Sequence, residues 1–127
     1  MRWERRVKKL LKGIDKKLKT DKKLKTTEEK KRKELIASKV GLVRIYNNLL
    51  SVEDLVKRKK ITKIKLSIDK NYLMLTLYNK KRFKEFRIRK NSSLFEEKKK
   101  IVELFLDEIS KKFPQIKVEK KILHYPI

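Results

Sequence analysis

Residues 57–90 read KRKKITKIKLSIDKNYLMLTLYNKKRFKEFRIRK, and their alternation decides the fold. From Ile61 to Ile68, residues Thr62, Ile64, Leu66 and Ile68 alternate with Ile61, Lys63, Lys65 and Ser67, the period of a strand with one face in the core. Asp69-Lys70-Asn71 supplies turn chemistry, because Asp and Asn tolerate left-handed backbone. Tyr72 to Tyr78 then places Leu73, Leu75 and Leu77 on one face and Tyr72, Met74, Thr76 and Tyr78 on the other. After a turn at Asn79-Lys80-Lys81, a third strand sends Phe86 and Ile88 inward and Phe83, Glu85, Arg87 and Arg89 outward. The expected assembly is a three-stranded antiparallel meander. The stretch holds 14 Lys and Arg against two acids, Asp69 and Glu85, and so carries half of the chain's net charge of +24. Charge that dense must face water or a polyanion.

Upstream, Met1 to Lys19 spaces Trp3, Val7, Leu10, Leu11, Ile14 and Leu18 on one helical stripe with Arg and Lys elsewhere, a basic amphipathic helix. The stripe either packs onto the rest of the chain or docks a membrane or protein partner through Trp3, Val7, Leu10 and Ile14. Thr20 to Thr27 reads as a turn or linker. Thr26 and Glu29 have capping-box spacing, opening a second helix in which Leu35, Ile36, Val40, Val43, Tyr46, Leu49 and Leu50 keep a 3.6-residue rhythm. Gly41 inside it predicts a close packing contact. Ser51 and Asp54 repeat the capping spacing and predict a break, with a short helix over Val52 to Arg58.

Downstream, Ser93 and Glu96 make a third capping box, opening a helix with Leu94, Ile101, Val102, Phe105, Ile109 and Phe113 on its stripe. Pro114 ends it. Ile116, Val118 and Ile122 alternate as a last strand in which Lys120 breaks the pattern, before a Leu123-His124-Tyr125-Pro126 tail. The expected class is α+β: two N-terminal helices, the meander, an amphipathic helix and a C-terminal strand. Residues 1–26 read as helix and linker, and 27–127 as a single α+β domain.

Forty Lys and Arg against 16 Asp and Glu repel one another unless an outside partner supplies counter-charge. Nucleic acid is the commonest such partner, and anionic membrane the next. The absence of cysteine excludes disulfides and thiolate zinc sites. There is no run of about 18 apolar residues for a transmembrane helix, and no uncharged stretch for a secretory signal, so an intracellular, cytoplasmic protein is expected. Heavy use of Lys, Ile and Leu suits a hyperthermophile or an AT-rich genome.

The outer meander face gathers Lys63, Lys65, Tyr72, Tyr78, Arg82, Phe83, Arg87 and Arg89. Cations neutralise phosphates there, and flat rings offer unpaired bases stacking surface. Lys31 and Arg32, in the basic run opening the second helix, oppose that helix's macrodipole and make sense beside a polyanion. These residues predict a non-catalytic nucleic-acid-binding protein without cofactor, with RNA or a ribonucleoprotein favoured over DNA. The alternative is a protein-interaction or inhibitor module docking through the first helix. His124, the one histidine, has no companion for a metal-ligand set.

No family is identified from these residues, although two resemblances bear on function. Asp69 and Glu85-Phe86-Arg87 loosely resemble the D…(D/E)-x-K pattern of restriction-endonuclease-like nucleases, and helix, three strands, helix, strand resembles that family's core. The resemblance implies Mg²⁺ between the two acids. Arg87 stands where that pattern has a lysine and cannot release a proton near neutrality, and no proline precedes Asp69. Helix, three strands, helix is likewise similar to the double-stranded-RNA-binding domain, without its motif residues.

Overall fold

The computed structural model describes residues 2–21 and 29–122. The proposed Thr26 cap, the linker up to Thr27 and the tail with His124 lie outside the described residues. The chain runs α1 (Arg2–Asp21), α2 (Glu29–Lys57), β1 (Lys63–Ile68), β2 (Tyr72–Asn79), β3 (Lys81–Arg89), α3 (Phe95–Lys112) and β4 (Lys117–Ile122), the α+β order expected. The sheet order is β3-β2-β1-β4. β1, β2 and β3 form the antiparallel meander, and β4 lies parallel to β1.

β1 and β2 bury alternate residues, with Ser67 and Thr76 buried as well, whereas β3 and the described side chains of β4 are at most partly buried. Ile64, Leu66, Leu73, Leu75 and Leu77 are almost fully buried and share one cluster with residues of all three helices. The N-terminal stripe packs into that cluster: Trp3 and Val7 are fully buried and Ile14 nearly so. The Trp3 ring meets Phe105 edge-on at 5.2 Å and Tyr46 at 5.6 Å. This corrects the docking surface of Trp3, Val7, Leu10 and Ile14, since burial of the indole and its neighbours outweighs leaving them for a partner. Glu108 of α3 accepts the Trp3 backbone N–H at 3.0 Å, capping the start of α1. Lys39–Asp15 (2.7 Å) and Arg6–Glu97 (3.4 Å) tie α1 to α2 and α3.

Several local expectations change. α2 runs through Ser51 without a break, because Ile45, Leu49, Val52 and Val56 stay in phase on its buried side. Glu53–Lys57 and Asp54–Arg58 pairs at i,i+4 support the last turns of this continuous helix. The buried stripe is also rotated: Leu42 and Ile45 face the core, while Ile36, Val40 and Val43 are exposed. α2 ends in a Schellman turn, with Lys60 N–H to Leu55 C=O, Lys59 N–H to Val56 C=O, and Lys59 at φ 58°. That turn delivers Ile61 into the core and leaves Thr62 exposed, the reverse of the strand pattern's phase.

α3 opens without the Ser93 capping box. Its N-cap is Leu94 in left-handed backbone (φ 58°) with no side-chain cap. Ser93 instead shares a hydrogen bond with Ser38 of α2, and Leu94 packs on the core. Lys120 breaks the pattern of β4 because it faces the helical side at the sheet edge, where its Nζ meets Asp107 of α3 at 3.3 Å. Among the described residues, no helix is long and apolar enough to cross a membrane.

Candidate nucleic-acid interface

The register fixes which side chains share the outer face. Lys63, Lys65 and Ser67 of β1 lie opposite Tyr78, Thr76 and Met74 of β2, and Tyr72, Met74 and Thr76 lie opposite Arg89, Arg87 and Glu85 of β3. The described helices pack on the other side, against Ile64, Leu73, Leu75 and their neighbours. The structure therefore brings Lys63, Lys65, Tyr72, Tyr78, Arg87 and Arg89 together on one surface.

A bulge adds to it. Leu77 pairs with Lys84 but Tyr78 pairs with Arg82, so Phe83 is an extra residue in β3. The slip brings Arg82 onto the outer face, where it reaches Glu85, and leaves the Phe83 side chain 55% exposed. Lys80, at φ 66°, closes the tight β2–β3 connection. The first hairpin closes differently. The Asp69 carboxylate accepts the backbone N–H groups of Asn71 (2.8 Å) and Tyr72 (2.7 Å), so no residue of that turn needs a left-handed backbone. These bonds, that from Tyr72 foremost, hold the Asp69 carboxyl below the usual carboxylate range.

β4 contributes cations that the meander reading missed. Its parallel register puts Lys117, Glu119 and Lys121 beside Lys63, Lys65 and Ser67 on the outer face. The alternation of residues 117–121 held this signal, but which strand β4 would join did not show in the sequence. The complete face has seven cations, three from β3 and two each from β1 and β4, against the carboxylates Glu85 and Glu119.

Both carboxylates are already engaged. Glu119 takes Lys63 at 3.1 Å and Lys117 at 3.3 Å, and these bonds, that from Lys63 foremost, hold its carboxyl below the usual range. Glu85 takes Arg82 and Arg87. The tyrosines are roofed as well: Lys63 Nζ stands 5.1 Å from the Tyr78 centroid and the Arg87 guanidinium 5.7 Å from that of Tyr72. Phosphate contact is thus open immediately, whereas a base stacking on either tyrosine must first displace its cation. Of the three rings, Phe83 in the bulge is the most exposed.

Two sets of residues are not brought to this face. Lys31 and Arg32 are exposed on the first turns of α2, and Arg32 lines a groove with Asp15 and Leu18 of α1. The nuclease-like acids do not meet. Asp69 sits in the hairpin beside Tyr72, whereas Glu85 lies opposite Thr76, four residues or roughly 13 Å along the strand. Among the described residues, no group of three or more acids or histidines is placed to hold a metal ion. Compared with protein-family models, curated proteins and solved structures, the chain matches none.

Proposed function

We propose that the protein binds single-stranded nucleic acid, with RNA favoured, across the outer sheet face. The observation that supports this reading is the face itself: seven cations against two carboxylates, on a side of the sheet where no described helix packs. Phosphates run between the Lys63/Lys65 row and the Arg87/Arg89 row and release counterions on binding. Exposed Phe83 takes a base first, and Tyr72 and Tyr78 take further bases once Arg87 and Lys63 turn to the phosphates. The flexible backbone of a single strand suits the adjacent rings better than a stacked duplex does.

Fluorescence anisotropy with a labelled twelve-nucleotide RNA tests the reading. About 0.7 counterions per phosphate contact on a single strand, over the face's net excess of five positive charges, gives a log–log salt slope of roughly −3.5. Absence of binding at about 50 mM salt, where such a binder is near its tightest, removes the proposal.

A further inference from the structure

Lys98 lies in the first turn of α3 with 6% of its surface exposed. Among the described residues its ammonium has one hydrogen-bond partner, Ser92 Oγ at 3.5 Å, and no carboxylate. A buried ammonium ordinarily has an ion partner or gives up its charge. Here burial, then the nearby charge of Arg44, pushes the Lys98 ammonium below the usual lysine range. The position is unfavourable in a second way, because a cation in a first helical turn opposes the macrodipole and α3 has no side-chain cap.

Space for the lysine is provided deliberately across the helix pair. A Cβ on Gly41 of α2 would stand 2.8 Å from Lys98 Nζ and 3.2 Å from its Cε, so the glycine expected to mark a close contact makes room for this side chain. Gly41, Ser92 and Lys98 border a cavity of about 390 Å³ between α2, α3 and the inner face of β2 and β3. That volume falls in the range of small-molecule sites. Leu73, Leu75, Phe86 and Ile88 give it an apolar wall. Its polar border is Asn48, Ser92, Arg44 and Lys98, with no acid among them, while Arg87 and Arg89 reach its rim from a strand that carries their side chains on the outer face. Glu97, the acid nearest in sequence, is engaged by Arg6.

We propose that this cavity binds a phosphomonoester carried on a flat or apolar body, with Lys98 Nζ as its anchor and Arg44 and Ser92 as further donors. A dianion fits Lys98 and Arg44, which no carboxylate meets among the described residues, better than a monocarboxylate does, and the free N–H groups opening α3 add to the same positive field. The body lies on Phe86 and the aliphatic wall. A free nucleotide and the phosphorylated end of a strand supply this same chemistry. The site does not rest on the outer-face reading, since neither Lys98 nor Arg44 belongs to that face.

Calorimetric titration at about 50 mM salt, where charge contacts are weakly screened, compares adenosine 5′-monophosphate with adenosine, and a 5′-phosphorylated decanucleotide with its unphosphorylated twin. At least one phosphorylated ligand is expected to bind about tenfold or more tightly than its partner, the usual scale of a charge-assisted contact. Preference within the nucleoside pair assigns a free nucleotide, and preference within the oligonucleotide pair alone assigns a strand end. Lys98→Met keeps the length of the side chain, removes the charge and is expected to abolish the preference. Gly41→Ala, whose methyl displaces the ammonium while the helix is kept, is expected to reduce it. Equal binding within both pairs, or a preference unchanged by Lys98→Met in a variant that melts cooperatively, overturns the proposal.

Discussion

The two faces of one sheet treat charge in opposite ways. On the outer face the cations stand in water, share Glu85 and Glu119, and lie over tyrosine rings. On the inner face a single ammonium, Lys98, is buried against leucines and phenylalanine with no acid to meet it. The difference separates two energies. Residues at even positions of β1 and odd positions of β2 hold the fold, and the charge on the opposite face, carried by β1, β3 and β4, contributes little to it. Lys98 alone belongs to both, because it takes up core volume and keeps a net positive field inside.

The sharpest way to break this separation is to truncate one face at a time. Leu77→Ala removes a fully buried side chain and is expected to cost ~2–5 kcal/mol in chemical denaturation, with RNA affinity per folded molecule unchanged. Lys65→Ala, on the adjacent strand but the other face, is expected to stay within about 0.5 kcal/mol and to weaken RNA binding. A Leu77→Ala variant as stable as the native chain would contradict the division.

Next in size, Phe83→Ala is expected to lose ~1–3 kcal/mol of affinity for single-stranded RNA with no change in melting temperature, since the ring is the extra residue of a bulge and mostly exposed. Equal binding by the variant would leave the face with phosphate contacts alone. Arg87→Gln is a smaller change. It is expected to make the log–log salt slope shallower by about 0.7, the share of one phosphate contact on a single strand. An unaltered slope would place the strand away from β3.

The smallest effect is a pH dependence on the alkaline side that Lys98 gives to the inner face. The folded state lowers the Lys98 pKa, so between that value and the usual lysine value the unfolded chain binds more protons than the folded one. Stability of the native chain should therefore rise with pH through this window relative to Lys98→Met. In phosphate-free buffer the variant is expected to be at least as stable near neutrality, with the gap closing towards alkaline pH. A gap independent of pH would mean that Lys98 already has a counter-charge.

The sequence made the order of elements and the inward residues of the meander legible because strict period-2 alternation admits one face assignment per strand. Ile64, Leu66, Leu73, Leu75 and Leu77 follow it. It was less informative where two periods overlap. α2 carries apolar residues over so wide a sector that Ile36, Val40 and Val43 fit a helical rhythm as well as Leu42 and Ile45 do, and only packing against α1 and α3 selects between them. Capping spacings at Ser51 and Ser93 misled for the same reason, since a serine followed three residues later by an acid is compatible with a helix interior or a tertiary hydrogen bond. The helix end at Lys59 and start at Leu94 use left-handed Lys and Leu, where sequence reasoning looks for Gly or a polar cap. Of the candidate site, the β1–β3 cations were legible by parity, whereas the cations of β4 depend on a parallel pairing between residues over fifty apart in the chain.

The most direct test of the outer-face reading is a ¹⁵N-resolved NMR titration of the whole chain with a ten-nucleotide RNA at low salt. The account predicts the largest amide shifts at outer-face positions of β1, β2 and β3, such as Lys65, Thr76 and Arg87, with the exposed side of α1 little moved. Shifts concentrated in residues 2–21 and 30–40, with the sheet unmoved, would contradict it and give the polyanion to the N-terminal helices.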